Sequence, residues 1–206
     1  MPELSIVKAP HQSISNTTAT TMISHTARKR RRYRALDCGA GIGRVTSTVL
    51  LPLFDDVHLV EPVPSFLETA VKNAKSRKGD WRTLNDSKSV TFWKAGLQYF
   101  DPSIPSTAVE EGSCELVERI SSSSSGETET TDDAIQYDLV MVQWCIGHLS
   151  DDQLVAFLQR ARKAIRTDNA GNATGYIILK ENVCSDESED GSGRIWDEDD
   201  SSYTRY

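Results

Sequence analysis

An α/β fold with a doubly wound, mainly parallel sheet is predicted by three observations. Five short apolar runs of β character alternate with helical patterns between about residues 33 and 183. That alternation demands parallel strands joined by right-handed crossovers. The first run hands over to a glycine-rich turn, "DCGAGIG", at the start of the first helical pattern. Finally, 206 residues suffice for one such domain with a real core but are short for two.

The elements follow in order. "YRALDCG" reads as a short buried strand closed by glycines. "RVTSTVLLPLF" (44–54) reads as a helix with Leu50, Leu51 and Phe54 turned inward, limited at its far end by Pro52. "DVHLVEP" is the second strand, and "PSFLETAVKNAKS" a second helix started by Pro64 and Ser65. "SVTFWKAGLQYF" is a third strand running into a loop, and "YDLVMVQWCIGHL" a fourth. "SDDQLVAFLQRARKAI" is a helix capped by Ser150, with Asp151 and Asp152 in its first turn and its basic residues late. Its apolar face is Leu154, Phe157, Leu158, Ala161 and Ile165. "TGYIILKENV" is the fifth strand.

Three stretches fall outside this rhythm. Residues 1–34 read as a Ser/Thr-rich, basic tail, residues 101–133 as a low-complexity surface insertion, and 185–206 as an acidic flexible segment. The domain proper is therefore expected at 35–184. "RKRRRYR" (28–34) reads either as a nuclear-import signal or as a solvated lead-in to the first strand. The basic Ser/Thr-rich start also shares features with a mitochondrial transit peptide, against which Glu3 and the poor helix formers count. A net charge of -7 argues against a nucleic-acid partner. No apolar stretch approaches a membrane span of roughly 20 residues. Cys38, Cys114, Cys145 and Cys184 form no C-x-x-C pair, so neither a metal site nor a disulfide framework is expected. Reduced thiols suit the cytoplasm, with the nucleus as a second compartment.

The chemistry gathers at strand ends. Gly39, Gly41 and Gly43 permit tight turning and close approach of backbone to a ligand facing a helix N-terminus. A dinucleotide fingerprint would need glycine at position 44, where this chain has Arg44. G-x-G-x-G after an acid is instead the pattern of S-adenosylmethionine-dependent methyltransferases. Glu61, ending the second strand, stands where a ribose diol would be held. Arg44 suits a carboxylate, and Gly96, Leu97 and Gln98 suit an adenine-side loop.

The motifs "LDCGAGIGR", "LLPLF", "VEP", "GLQ.F", "QW.IGHL" and "LKEN" together resemble the α-N-terminal protein methyltransferases, which methylate the α-amine of proteins beginning X-Pro-Lys. The resemblance runs from about Ala35 to Val183 and implies a class I, Rossmann-like methyltransferase domain. It implies S-adenosyl-L-methionine contacts from Gly39, Gly41, Arg44, Glu61 (usually Asp in the family), Gly96, Leu97, Gln98 and Gln143. Trp144 and Asn182 would face the substrate, with His148, Asn182 and Asp200 in catalytic positions. Its implied partners are proteins with an X-Pro-Lys N-terminus. The chain departs from the family in lacking a Gly-Gly-Tyr-Gly stretch and in stopping at Tyr206, so the resemblance implies a sheet without its last two strands.

Such a transfer needs a neutral amine. An α-amine titrates at about 7.7–8.0, so a base such as His148 or a carboxylate is expected beside it. Asn182 can hold the amine without a full negative charge, which would favour the protonated form. Trp144 offers a flat wall, and the acids near 185–200 attract a substrate lysine.

Overall fold

The structure, a computed structural model, describes residues 30–106, 113–121, 134–184 and 192–205. The chain divides into two units, Met1–Arg31 and Arg32–Tyr206, and the sheet and its helices belong to the second. Six strands form one sheet: β1 (Arg34–Cys38), β2 (Asp56–Val60), β3 (Ser89–Ala95), β4 (Cys114–Ser121), β5 (Leu139–Gln143) and β6 (Tyr176–Lys180). Their order is β4-β3-β2-β1-β5-β6. Every pairing is parallel except β3 with β4, so the sheet is mainly parallel as expected.

The chain leaves β1 toward β2 and β3, then returns to place β5 on the other side of β1. This reversal opens a crevice beyond the carboxyl ends of β1 and β5, where ligands of open α/β sheets bind. The register pairs Cys38 with both Val60 and Val142, and Gln143 with Lys180. The segments following β1, β2, β5 and β6 therefore emerge at one rim.

Both faces of the sheet are covered at its centre, which is why β2 is buried at every position despite its Asp and His. On one face Ala35, Val57, Leu59 and Phe92 pack against Leu50, Leu51, Leu67 and Ala70. Those four come from a wide π-type turn (Thr46–Leu50) continuing into α1 (Leu51–Leu53), and from α2 (Pro64–Ser76). Pro52 lacks an N–H and crowds the preceding turn, and the backbone widens there so that Leu51 N–H reaches the Thr46 carbonyl. On the other face Leu36, Val140 and Phe100 pack against Phe157 and Ala161 of α3 (Asp151–Lys163). Ser150 caps α3 by accepting Gln153 N–H while the Gln153 side chain accepts Ser150 N–H, a capping box.

The rim opposite the crevice is sealed by charge pairs. Arg32 donates through Nε and Nη2 to the two oxygens of Asp56 (2.9 and 2.6 Å), and Ser89 Oγ donates to the same carboxylate (2.6 Å). Asp138 accepts from Arg34 N–H (2.8 Å) and pairs with Arg166 (3.0 Å). Part of the basic run is thus built into the fold rather than forming a solvated lead-in.

Two expectations need correction. Within 101–133, Cys114–Ser121 is not a surface insertion but strand β4, which pairs antiparallel with β3 and lays Ile120 against the core. Residues 107–112 and 122–133 of that stretch lie outside the described residues. Within 185–206, expected to be a flexible acidic segment, β7 (Arg194–Asp197) and β8 (Ser202–Arg205) form an antiparallel hairpin, while residues 185–191 and 206 lie outside the described residues. Trp196 packs at a tilt on Tyr203 (4.6 Å between ring centroids), and Arg194 and Arg205 both pair with Asp151, which ties the hairpin to the start of α3. At the other end of the sheet, Tyr176, Ile178 and Leu179 of β6 are exposed.

Candidate active site

The crevice at the carboxyl rim is built by glycines first. Gly39, Gly41 and Gly43 have φ of 61°, 57° and 80°, the left-handed region that other residues enter at a cost. A Cβ on Gly39 would sit 2.4 Å from Cys145 Cβ, and one on Gly43 2.6 Å from Trp81. At Gly41 it would meet nothing within 4 Å, so the backbone there is open to an incoming ligand.

Glu61, 5 % exposed, ties this loop to the end of β2. Its Oε2 accepts Gly41 N–H (2.8 Å) and its Oε1 accepts Val63 N–H (2.9 Å). Each oxygen keeps a further lone pair for a hydroxyl.

Two cavities, of about 400 and 670 Å³, share Gly39, Gly41, Phe66 and Trp144 as walls. Glu61, Gly96, Leu97, Gln98 and His148 complete the first. Asp37, Arg44 and Gln143 belong to the second. Every residue expected to contact the cofactor therefore lines one cavity or the other, as do Trp144 and His148. Asn182 and Asp200 line neither: Asn182 is exposed beyond β6, and Asp200 is exposed in the β7–β8 turn.

Trp144 is the strained residue of the rim. It is 55 % exposed with φ of 54°, an uncommon state for a bulky side chain. Its N–H donates to the Lys180 carbonyl (3.1 Å), and the Lys180 ammonium lies 4.6 Å from the ring centroid. His148 ends a short 3₁₀ turn, Ile146–His148, that is gripped from two sides. Ile146 N–H donates to Glu181 Oε2 (3.2 Å), and Arg205 donates to the carbonyls of Ile146 (3.1 Å) and Leu149 (2.5 Å).

Asp37 is absent from the expected site residues, although it is the acid immediately before the glycines. It is buried and accepts from Thr46 Oγ1 at 2.6 Å. Burial pushes its carboxyl up to about 6, the Thr46 hydrogen bonds only partly opposing this and the Glu61 charge adding to it. Glu181 and Arg205 are likewise absent, because nothing local in the sequence marks their partners. Burial pushes the Cys145 thiol up to about 12, so it is a packing residue rather than a nucleophile. Among the described residues no cluster of His, Cys, Asp and Glu is placed to hold a metal ion.

Glycine turns against an open cavity, an acid at the end of β2 and a crevice at the sheet reversal together fit S-adenosylmethionine. The fold is that of the class I S-adenosylmethionine-dependent methyltransferases. The sequence model of the AdoMet dependent proline di-methyltransferase family matches residues 6–206, and the chain belongs to that family. It is 34% identical over 178 residues to the rice (Oryza sativa subsp. indica) "Alpha N-terminal protein methyltransferase 1", covering 85% of this chain and 43% of the relative. It is 36% identical over 172 residues to the Xenopus laevis "N-terminal Xaa-Pro-Lys N-methyltransferase 1-B", covering 83% and 54%. Among solved structures, a Leishmania major SAM-dependent methyltransferase superposes with a TM-score of 0.53 at 29% identity, covering 85% of this chain and 50% of that one. The chain thus spans about half the length of the curated relatives it matches.

Proposed function

We propose that this chain transfers methyl groups from S-adenosylmethionine to the α-amine of proteins with an exposed X-Pro-Lys N-terminus. The observation that carries the reading is the adjacency of Trp144 and His148, on one strand-to-helix turn, to the cavity lined by Gly39 and Glu61. When bound, the cofactor supplies an electrophilic methyl group on a sulfonium. The chain's residues do the rest. Gly39, Gly41 and Glu61 hold the ribose side, Gly96, Leu97 and Gln98 the base side, and Arg44 and Gln143 the amino-acid side. Trp144 walls the substrate's proline ring and keeps water from one face of the amine. His148, at the cavity edge, takes the ammonium proton before transfer.

Asn182 and Asp200 enter this reading as rim groups rather than cavity walls. Asn182 follows Glu181, whose carboxylate accepts Ile146 N–H, and so lies close in the chain to the His148 turn's anchor. Asp200 belongs to the acidic 197–200 turn, which draws in a lysine at the third substrate position. The natural partners are protein N-termini rather than nucleic acid or membrane, met in the cytoplasm and secondarily the nucleus. No described helix is long and apolar enough to cross a membrane.

Mass spectrometry of an X-Pro-Lys peptide incubated with the protein and S-adenosylmethionine tests the proposal. A methyl series confined to the α-amine is expected. Cofactor binding without methylation would instead support a second reading, a protein that binds the cofactor without transferring its methyl group.

A further inference from the structure

β3 ends at Ala95, and the backbone then turns sharply. The Gly96 carbonyl accepts the N–H groups of Tyr99 (3.0 Å) and Phe100 (3.1 Å). Carbonyls in so tight a turn have no strand partner, and buried ones need donors from elsewhere. Three of them find the same side chain. Arg160, late in α3, donates from Nε to the Phe100 carbonyl (3.0 Å) and from Nη2 to those of Leu97 (2.9 Å) and Gln98 (3.0 Å). The Leu97 and Phe100 side chains are buried, while Gly96, Leu97 and Gln98 line the smaller cavity. Arg160 lines neither cavity.

We infer that Arg160 is a positioning residue for the cofactor, fixing the cavity wall formed by residues 96–98 without touching the ligand. The inference rests on reading that cavity as the S-adenosylmethionine site. The geometry asks for arginine in particular. Three carbonyl oxygens converging on one point repel one another unless a cation lies between them. The planar guanidinium presents donors at fixed angles, whereas a lysine ammonium is a compact point charge on a flexible stem. Without the fork, the carbonyls turn to water and the loop backbone rearranges. Gln98 moves with it, because its side chain lies where a Cβ on Gly96 would be, 2.5 Å from Oε1. Trp144 and His148 sit on a different turn, so the loss falls on cofactor affinity rather than on the substrate side.

Calorimetric titration of S-adenosylhomocysteine into wild type, Arg160→Gln, Arg160→Lys and Phe157→Leu tests this. Phe157, fully buried on the same helix, controls for general loss of packing. Arg160→Gln is expected to raise Kd by about tenfold and Arg160→Lys by at least about threefold, as for lost charged hydrogen bonds. Phe157→Leu should lower Tm while leaving Kd within about twofold. In hydrogen exchange, amides of residues 96–100 should exchange faster in Arg160→Gln and be protected again by saturating ligand. An unchanged Kd in Arg160→Gln overturns the inference alone, as does an equal rise in Phe157→Leu at matched Tm. A wild type that fails to bind overturns the cofactor reading, and this inference with it.

Discussion

Asp56 and Asp37 lie on neighbouring strands of one sheet, both nearly out of contact with water at 7% and 2% exposure. They are driven in opposite directions. Burial works against the Asp56 charge, but the Arg32 fork, the Ser89 hydroxyl and the Arg34 charge outweigh it and hold the carboxyl below its ordinary range. Asp37 is offered a hydroxyl and a backbone N–H from Thr46 but no cation, and it faces the Glu61 charge, so burial wins. Asp56 begins β2 at the sealed rim, and Asp37 precedes the end of β1 at the open one. One rim satisfies its charges within the fold. The other leaves them under-compensated beside a cavity, the usual arrangement where a ligand completes the electrostatics.

The sealed rim should therefore lose most when broken. Asp56→Asn removes the acceptor of a two-point Arg32 pair and is expected to cost about 2–4 kcal/mol, discounted from a fully buried pair because Arg32 is half exposed. A lowered folded-state pKa contributes stability that is present above the unfolded value and lost as pH falls through the folded one. The cost should thus be full at neutral pH and shrink only below about pH 4. Urea denaturation at pH 7 and pH 3.5 checks this, and cofactor binding by the folded fraction should not change. A parallel loss of binding would show that the rims are not independent.

At the open rim the same kind of change should read out in binding. Glu61→Ala removes the acceptor for Gly41 and Val63 N–H together with the proposed ribose partner, and should weaken S-adenosylhomocysteine binding by about 1–3 kcal/mol. Binding within error of wild type by calorimetry would remove Glu61 from the site.

Asp37 carries the opposite sign. Its raised folded-state pKa means the native protein holds a proton that the unfolded chain gives up from about pH 4, so stability declines as pH rises from there to about 6. Asp37→Asn should stabilise the fold by about 1–2 kcal/mol at pH 8 and less near pH 4, while weakening the cofactor complex. A destabilised variant at pH 8 would mean the ionised carboxylate is better compensated than its neighbours suggest.

The contrast also explains what is legible in the sequence. Strands buried on both faces announce themselves by their apolar β-formers even where polar residues interrupt them, as Asp56 and His58 do in Asp56–Val60, and Ser150 announces its helix through the cap chemistry. Cys114–Ser121 does not, because an edge strand with one face in solvent has little apolar signal and lies among prolines and serines. The β7–β8 hairpin is hidden by its acids, since Asp151, which Arg194 and Arg205 pair with, and Tyr203, which lies against Trp196, come next to their partners only once the chain is folded. In the site, glycines and a strand-end acid are readable because backbone geometry requires them locally. Asp37 reads as a strand residue, and Arg205 grips carbonyls more than 50 residues away in the chain. Of the residues the resemblance implies on the substrate side, Trp144 and His148 line a cavity, whereas Asn182 and Asp200 line neither.

The smallest effect expected is the most diagnostic of how the open rim is built. Trp144 is a large aromatic residue, and truncating one from a core costs about 3–5 kcal/mol. Here the ring is half exposed, its cationic companion is the Lys180 ammonium, and its backbone sits at φ of 54°. Holding a non-glycine residue there costs on the order of 1 kcal/mol, which glycine does not incur. Trp144→Gly should therefore change stability by less than about 1 kcal/mol, because relief of strain offsets the lost contacts and the added freedom of the unfolded chain. Peptide methylation should nevertheless fall sharply while S-adenosylhomocysteine binding holds. Trp144→Ala, which keeps the strain but loses the ring, should be the less stable of the two, and the difference reports the strain less glycine's added freedom in the unfolded chain. If Trp144→Gly instead destabilised the fold like a core truncation, the ring would belong to the packing that the sealed rim exemplifies, and the distinction between the two rims would have to be redrawn.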